Sequence, residues 1–331
     1  MMKAALLYGL NDLRLTEVEK PTVGPGDVLV RLKACGVCPT DIRKYRTGNH
    51  GIPKLPFNMG HEWAGDIVEV GKNVKFFEVG MRVGGFNYGG YAEYNTVTET
   101  EFDEFAPYPE TLLMVIPGSI TYEAATFIEP LSDCFHAVVT QAEVHVADSL
   151  LVIGAGPMGM MLSMAGKSIG AKVVIADVLE KRLQFAKQLG VDETVNVHRE
   201  NLADRIKEIA GEQGIDAVIT AVGQPSAITQ ALNVVKKRGR VVIFGGAPEG
   251  TTVQIDPNII HYNEVTLVGS SWLGAGGFLD ARMCHVAVEM IRSGKVPVER
   301  LITGRFPLQK IHEAFRVVED LEGLKSIIML S

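Results

Sequence analysis

Short apolar runs alternate with turn residues through the first hundred positions of this 331-residue chain. DVLVRLKACGV, WAGDIVEVG, RVGGF and YAEYNTV are separated by Pro-Gly, Gly-Lys-Asn and Gly-Gly clusters. That spacing predicts an all-β or mostly β domain. The opening MMKAALLYGLNDLRL reads as a first strand: its apolar run is short, meets Asn, Asp and Arg, and lacks the small-residue cleavage site of a signal peptide. Residues 99–110, ETEFDEFAPYPE, are acidic with two prolines and read as a solvated loop.

From about residue 121 the texture changes. TYEAATFIEPLSDCFHAVVTQA reads as helix, broken near Glu129-Pro130. Apolar runs then alternate with amphipathic segments: SLLVIGAG, a helix to Gly170, KVVIAD, a helix over EKRLQFAKQLG, and ETVNV. The series continues with helical NLADRIKEIAGEQG, DAVITAVG, helical SAITQALNVVKKRG, RVVIFGG and VTLVGSS. This is βαβ alternation, which builds a parallel sheet with helices on both faces. Helices around ARMCHVAVEMIRSG and QKIHEAFRVVED and a short strand, SIIML, complete residues 279–331. No internal repeat or low-complexity segment stands out.

The length suffices for two domains, each with its own core. An apolar fraction of 47% and a charged fraction of 21% are ordinary for a globular chain. The net charge of −7 and the lack of a basic run argue against nucleic acid as a partner. SLLVIGAGPMGMMLSMAG, residues 149–166, is uncharged, but four glycines and a proline interrupt it and Lys167 follows. A strand, a turn and a buried helix explain it better than a membrane crossing. Four scattered cysteines, Cys35, Cys38, Cys134 and Cys284, are too few for a disulfide framework and fit a reduced, cytoplasmic setting.

GAGPMG, Gly154 to Gly159, fits G-x-G-x-x-G. The sextet alone is weak, but the strand LLVI precedes it, a helix follows, and Asp177 closes the next strand eighteen residues past Gly159. Gly154 permits the tight turn and Gly156 lets backbone amides approach a pyrophosphate. Gly159 lets the helix pack on the sheet, and Pro157 and Met158 complete the loop. Asp177 can accept hydrogen bonds from both ribose hydroxyls and would repel a 2′-phosphate, so NAD is expected rather than NADP. Arg182, five residues on, either covers the adenosine or is a plain surface arginine.

GVCPTD at residues 36–41 and GHEWAG at residues 60–65 set a sulfur, an imidazole and a carboxylate in glycine-flanked turns. Cys35 and Cys38 form C-x-x-C, but no second such pair exists, so a four-cysteine structural site is excluded within one chain. A catalytic zinc needs only three protein ligands and an open position, which one Cys, one His and one carboxylate would supply. Cys35 reads as a small buried hydrophobe.

These two segments, with Gly71 and Val74 following the second, resemble the zinc-dependent medium-chain dehydrogenase/reductase family, that of the alcohol dehydrogenases. IEPLS at residues 128–132 is similar to its sorbitol and threonine dehydrogenase branch. The likeness spans nearly the whole chain, with the motifs in order. It implies an α/β fold: a GroES-like, mostly-β catalytic domain over residues 1–130 and 271–331, and a Rossmann doubly wound parallel-sheet domain binding NAD over residues 131–270. It also implies Cys38 and His61 as zinc ligands, with Glu62 or Glu129 as the remaining one. Asp41 resembles the carboxylate that orients the ligand histidine, and Thr40 the hydroxyl that passes on the substrate's proton. The implied reaction is NAD-linked oxidation of a secondary alcohol: zinc acidifies the alcohol, the cofactor takes the hydride, and a cleft between domains aligns the two. Relatives are commonly homodimers or homotetramers.

The chain also departs from the pattern. Residues 84–98, GGFNYGGYAEYNTVT, lack the four clustered cysteines that hold a structural zinc in many relatives, so one zinc per chain is expected. Pro39 follows Cys38 where relatives usually have glycine, and Arg43 stands where many alcohol dehydrogenases place a relay histidine. An arginine does not titrate near neutrality, so water or an open path must finish the relay; Arg43 contacts cofactor phosphate or substrate, or faces solvent. GSSWLGAGG, residues 269–277, carries Trp272 and lacks the arginine that polyol-oxidising relatives often have there. Trp63, Trp272 and Tyr45 either shape the pocket or fill the core, while Cys134 and His136 read as packing residues. A polyol, a cyclitol or amino-cyclitol, threonine and a simple secondary alcohol all stay open as substrates. Competing readings are a zinc-free, NADPH-dependent quinone or enone reductase of the same fold, and a non-catalytic binding protein on the same scaffold.

Overall fold

The computed structural model describes residues 1–48, 52, 54–99, 113–271 and 281–331. The acidic stretch beyond Glu99 and the segment holding Trp272 lie outside the described residues. Two compact units emerge, one of Met1–Pro130 with Cys284–Ser331 and one of Leu131–Met283.

In the first unit the mostly-β expectation holds. β1 (Met2–Gly9) and β2 (Asp12–Val18) form an antiparallel hairpin, with Asn11 at φ 61° in its turn. β3 (Asp27–Gly36) leads into α1 (Pro39–Thr47), and β4 (Phe57–Asn58) pairs with β1. β5 (Trp63–Val70), β6 (Arg82–Gly85), β7 (Tyr94–Thr98) and β8 (Leu113–Val115) follow, then α2 (Tyr122–Ala125) and α3 (Ile128–Phe135). The break in the helical stretch therefore falls at Thr126 and Phe127 rather than near Glu129-Pro130. Pro130 sits in the first turn of α3, where its missing N–H costs nothing.

The second unit begins within α3 and carries a six-stranded parallel sheet. Its elements are β9 (Ser149–Ile153), α4 (Pro157–Ser168), β10 (Lys172–Asp177), α5 (Glu180–Gln188), β11 (Glu193–Asn196) and α6 (Leu202–Ala210). Then come β12 (Ile215–Thr220), α7 (Pro225–Val234), β13 (Val235–Ile243), α8 (Pro257–Asn263) and β14 (Thr266–Gly269). The strand order is β11-β10-β9-β12-β13-β14, so its direction reverses between β9 and β12. The strands read as continuous apolar runs because both faces are covered; Leu151, Ile175, Val218 and Val241 are all sealed from solvent or nearly so. KKRG, expected to end a helix, instead opens β13: the register slips between Ile215 and Ala217 of β12, and Arg238 adopts φ 60°. A further unexpected helix, α8, starts where the Asp256 side chain accepts a hydrogen bond from the Asn258 N–H.

The chain then returns to the first unit through α9 (Ala281–Arg292), β15 (Ile302–Pro307), α10 (Ile311–Glu319) and β16 (Lys325–Met329). The large sheet there runs β15-β16-β3-β5-β6-β8, with β7 also pairing β3. β3 lies inside that sheet, which explains why nearly every residue in DVLVRLKACG is at least half-buried. The last strand thus lies directly against the strand that leads to Cys38. Among the described residues no helix is long and apolar enough to cross a membrane.

Candidate active site

Cys38 caps the start of α1, and its Sγ accepts a hydrogen bond from the Thr40 N–H at 3.5 Å. Pro39 occupies the first helical turn, where its fixed φ suits the helix and no N–H is missed, so the departure from glycine starts α1 cleanly. His61 and Glu62 stand where the chain enters β5. Gly60 just before them has φ 78°, and a Cβ there would press on Cys35 Sγ and the Tyr91 ring at 3.0 Å. Antiparallel pairing of β3 with β5 sets Cys35 opposite Trp63, and the Gly36 N–H donates to the Glu62 carbonyl at 2.7 Å.

Two early turns are thereby brought together: ligand atoms of Cys38, His61 and Glu62 lie within 4.8 Å of one another. A tetrahedral ion with ligand bonds of about 2.0–2.3 Å separates its ligands by about 3.3–3.8 Å. Small side-chain rotations close that difference, and a thiol, an imidazole and a carboxylate are a donor set that zinc accepts. Of the two carboxylates left open by the sequence, Glu62 is the one in the trio. Glu129 is buried, and its charge reaches Tyr88, whose pKa burial raises, and Lys325, whose pKa Glu62 raises against the effect of burial. Cys35 stays apart, fully buried, and burial pushes its thiol well above the ordinary range.

Behind His61 lies Asp41, wholly buried, with Oδ1 3.3 Å from His61 Nδ1. Asp41 also accepts hydrogen bonds from the Tyr91 hydroxyl at 2.8 Å and the Gly60 N–H at 3.3 Å. Burial alone would raise the Asp41 carboxyl, but His61, Tyr91 and Gly60 outweigh it and hold it below the ordinary range. Burial likewise disfavours a charged His61 ring, yet Asp41 and then Cys38 raise its pKa well above the usual value. Tyr88 stands edge-on to His61, ring centroids 5.3 Å apart.

Three neighbours of the trio and its backing carboxylate escape sequence reasoning: Tyr88, Tyr91 and Lys325. The Lys325 ammonium pairs with Glu62 Oε2 in the interior, the two side chains only 2% and 1% exposed. In the sequence it is one lysine opening a terminal strand, a position normally solvated. Trp63 and Tyr45, open between pocket and core, belong to the core. Trp63 donates to the Asn87 carbonyl at 2.8 Å, and Tyr45 to that of Asn11 at 3.2 Å while packing edge-on to Phe315. Thr40 is half-buried on α1, and Arg43 is exposed.

In the second unit the glycine loop follows β9, at the strand next to the reversal in sheet order, where open α/β sheets bind ligands. Gly154 has φ 110°, and a Cβ on Gly159 would run into the Gly154 carbonyl oxygen. Gly156 caps α4 and Pro157 begins it. A Cβ on Gly156 would find only Arg182 Nη1 at 3.9 Å, so space is open above the loop. Asp177 closes β10, where its carboxylate accepts from the Ala155 N–H at 2.6 Å and the Leu179 N–H at 2.8 Å. Cys134 Sγ donates to the Met158 carbonyl at 3.7 Å, and Gln141 Nε2 is hydrogen-bonded to His136 Nε2 at 3.0 Å.

Residues 24–109 match the family model described as the alcohol dehydrogenase GroES-like domain, and residues 157–288 that of the zinc-binding dehydrogenases. The chain is 30% identical to a sorbitol dehydrogenase of Bombyx mori over 350 aligned positions, covering 98% of this chain and 97% of that one. It is 31% identical to an L-threonine 3-dehydrogenase of Burkholderia vietnamiensis, covering 99% of each. The crystal structure of 2R,3R-butanediol dehydrogenase from Bacillus subtilis superposes with a TM-score of 0.88 at 26% identity over 100% of both chains. With fold, motifs and whole-length likeness in agreement, the chain belongs to the zinc-type medium-chain alcohol dehydrogenase family, in its sorbitol and threonine dehydrogenase-like branch, and is an oxidoreductase.

Proposed function

We propose that this protein is a zinc-dependent, NAD-linked dehydrogenase that oxidises a secondary alcohol to a ketone. The observation that carries the reading is the trio of Cys38, His61 and Glu62. Those three residues would hold the metal, with buried Glu129 as the neighbouring carboxylate. Bound there, zinc supplies a Lewis acid that acidifies the substrate hydroxyl, and NAD supplies the hydride acceptor.

The chain's own residues do the rest. Asp41 Oδ1 stands 3.3 Å from His61 Nδ1, a carboxylate placed to orient the ring so that Nε2 would face the metal. The Thr40 hydroxyl relays the alcohol proton, accepting it as its own proton passes to water. In the second unit the N-terminal amides of α4 and the open space above Gly156 suit a pyrophosphate. Asp177 suits the paired ribose hydroxyls of NAD, and its charge disfavours the extra phosphate of NADP. Arg182 lies by the loop to cover the adenosine. One zinc per chain follows from the missing cysteine cluster at residues 84–98.

Sorbitol, threonine and butanediol, which name relatives, each carry a secondary hydroxyl beside a carbon bearing a second hydroxyl or an amino group. That vicinal pattern defines the expected substrate class. Bound metal should be measured in protein purified without added chelator, and NADH formation screened over polyols, cyclitols and amino alcohols. Cys38→Ala should lose both zinc and turnover while binding NAD as before. A zinc-free protein that prefers NADPH would instead be a reductase of the same fold, and one that binds neither metal nor nucleotide a non-catalytic scaffold.

A further inference from the structure

Lys325 is a buried charge that the proposed reaction does not use. It opens β16, whose antiparallel pairing with β3 sets Ile327 opposite Gly36, and the Val37 N–H donates to the Ser326 carbonyl at 2.9 Å. This backbone zipper delivers the ammonium to Glu62 from the side of β3 opposite β5. The fit is close: a Cβ on Gly36 would collide with Glu62 Oε2 and lie 2.9 Å from Lys325 Cε. The Phe127 ring covers the ammonium at 5.8 Å from its centroid, and the charges of Cys38 and Glu129 also reach it.

We propose that Lys325 is the internal counter-ion of the metal site: it holds Glu62 when no metal is bound, and its positive charge weakens the grip on the metal when one arrives. This rests on the reading of Cys38, His61 and Glu62 as a zinc site. A carboxylate sealed in the interior without a partner is strongly destabilising, and the ammonium removes that penalty from the metal-free protein. A divalent cation placed among the trio meets the same ammonium in a poorly screened interior, and like charges repel. Both effects favour the metal-free side of the binding equilibrium, so Lys325 is a positioning residue that trades metal affinity for stability of the empty site.

The test is Lys325→Met, which keeps the length of the side chain and removes the charge. Metal-free and zinc-loaded proteins are melted side by side, and zinc affinity is measured by competition with a chromophoric chelator. The metal-free variant should melt several degrees below wild type. Its zinc-loaded form should fall much less, and zinc should bind about ten- to a hundredfold more tightly. The double variant Lys325→Met with Glu62→Gln, which leaves no buried charge in the pair, should recover much of the lost melting temperature without metal. It also supplies a folded metal-free protein should the single variant not provide one. Lys325→Arg should stay near wild type in zinc affinity. Unchanged or weaker zinc binding in Lys325→Met, or a double variant that melts as low as the single one, would overturn the proposal. A wild type that takes up no zinc would overturn the reading of the trio itself, a distinct result.

Discussion

Nδ1 of His61 lies 3.3 Å from Oδ1 of Asp41, with the histidine nearly buried and the aspartate wholly so. The carboxylate is in turn fixed by Tyr91 and Gly60, so the imidazole is backed by a rigid anion. Asp41→Asn keeps the shape and an acceptor oxygen but removes the charge. Zinc affinity should fall by about ten- to a hundredfold, the usual effect of losing such a partner. A chelator competition assay reads this directly, and NAD binding in the second unit should not change. Equal zinc affinity in wild type and Asp41→Asn would mean that the carboxylate only fills space.

The same neighbourhood marks how far the sequence could be read. Cys38, His61 and the glycine loop are local patterns, each flanked by turn residues, and local chemistry makes them visible. That Glu62 comes within 4.8 Å of Cys38 together with His61 follows from the pairing of β3 with β5, which no local pattern displays. Lys325 was out of reach because its place is set by β16 pairing with a strand from the other end of the chain. The helix ends went astray for local reasons of another kind. Pro130 is harmless in a first turn, and the slip at Arg238 turns KKRG from helix into strand because tertiary pairing outweighs propensity.

Gly159 offers a clean separation of the two units. A Cβ there has nowhere to go but the Gly154 carbonyl oxygen, which is backbone and cannot rotate aside. Gly159→Ala should cost roughly 1–3 kcal/mol and displace α4 from the strand it follows. NAD binding should drop while zinc content stays at the wild-type level, measured by titration of nucleotide fluorescence and by metal analysis. Loss of zinc together with NAD binding would point to global unfolding instead.

Asp177 serves two ends at once, since its two oxygens already hold the Ala155 and Leu179 N–H groups. Asp177→Ser shortens the side chain and removes the negative charge. Affinity for NAD should fall, and the preference for NAD over NADP should narrow by on the order of tenfold or more once the like-charge repulsion is gone. Paired binding curves for the two nucleotides decide it, and a fixed ratio would remove Asp177 from the selection of cofactor.

Asp133 carries a pH dependence unconnected with metal. It lies in α3, and its Oδ1 is sealed from solvent with no hydrogen-bond partner among the described residues. Burial alone pushes its carboxyl from 3.8 up to about 7. Because the folded pKa lies above the unfolded one, the folded protein holds this proton more tightly. The stabilising contribution is complete below about 3.8 and is lost as the pH climbs through about 7. The gap corresponds to on the order of 4 kcal/mol at most, part of which structural relaxation and water entry would recover. Asp133→Asn keeps the shape and cannot ionise, so it should melt several degrees above wild type at pH 8, and the advantage should vanish near pH 4. Thermal melts across that range provide the comparison. A difference in melting temperature that does not change with pH would mean that the buried carboxyl is not the titrating group.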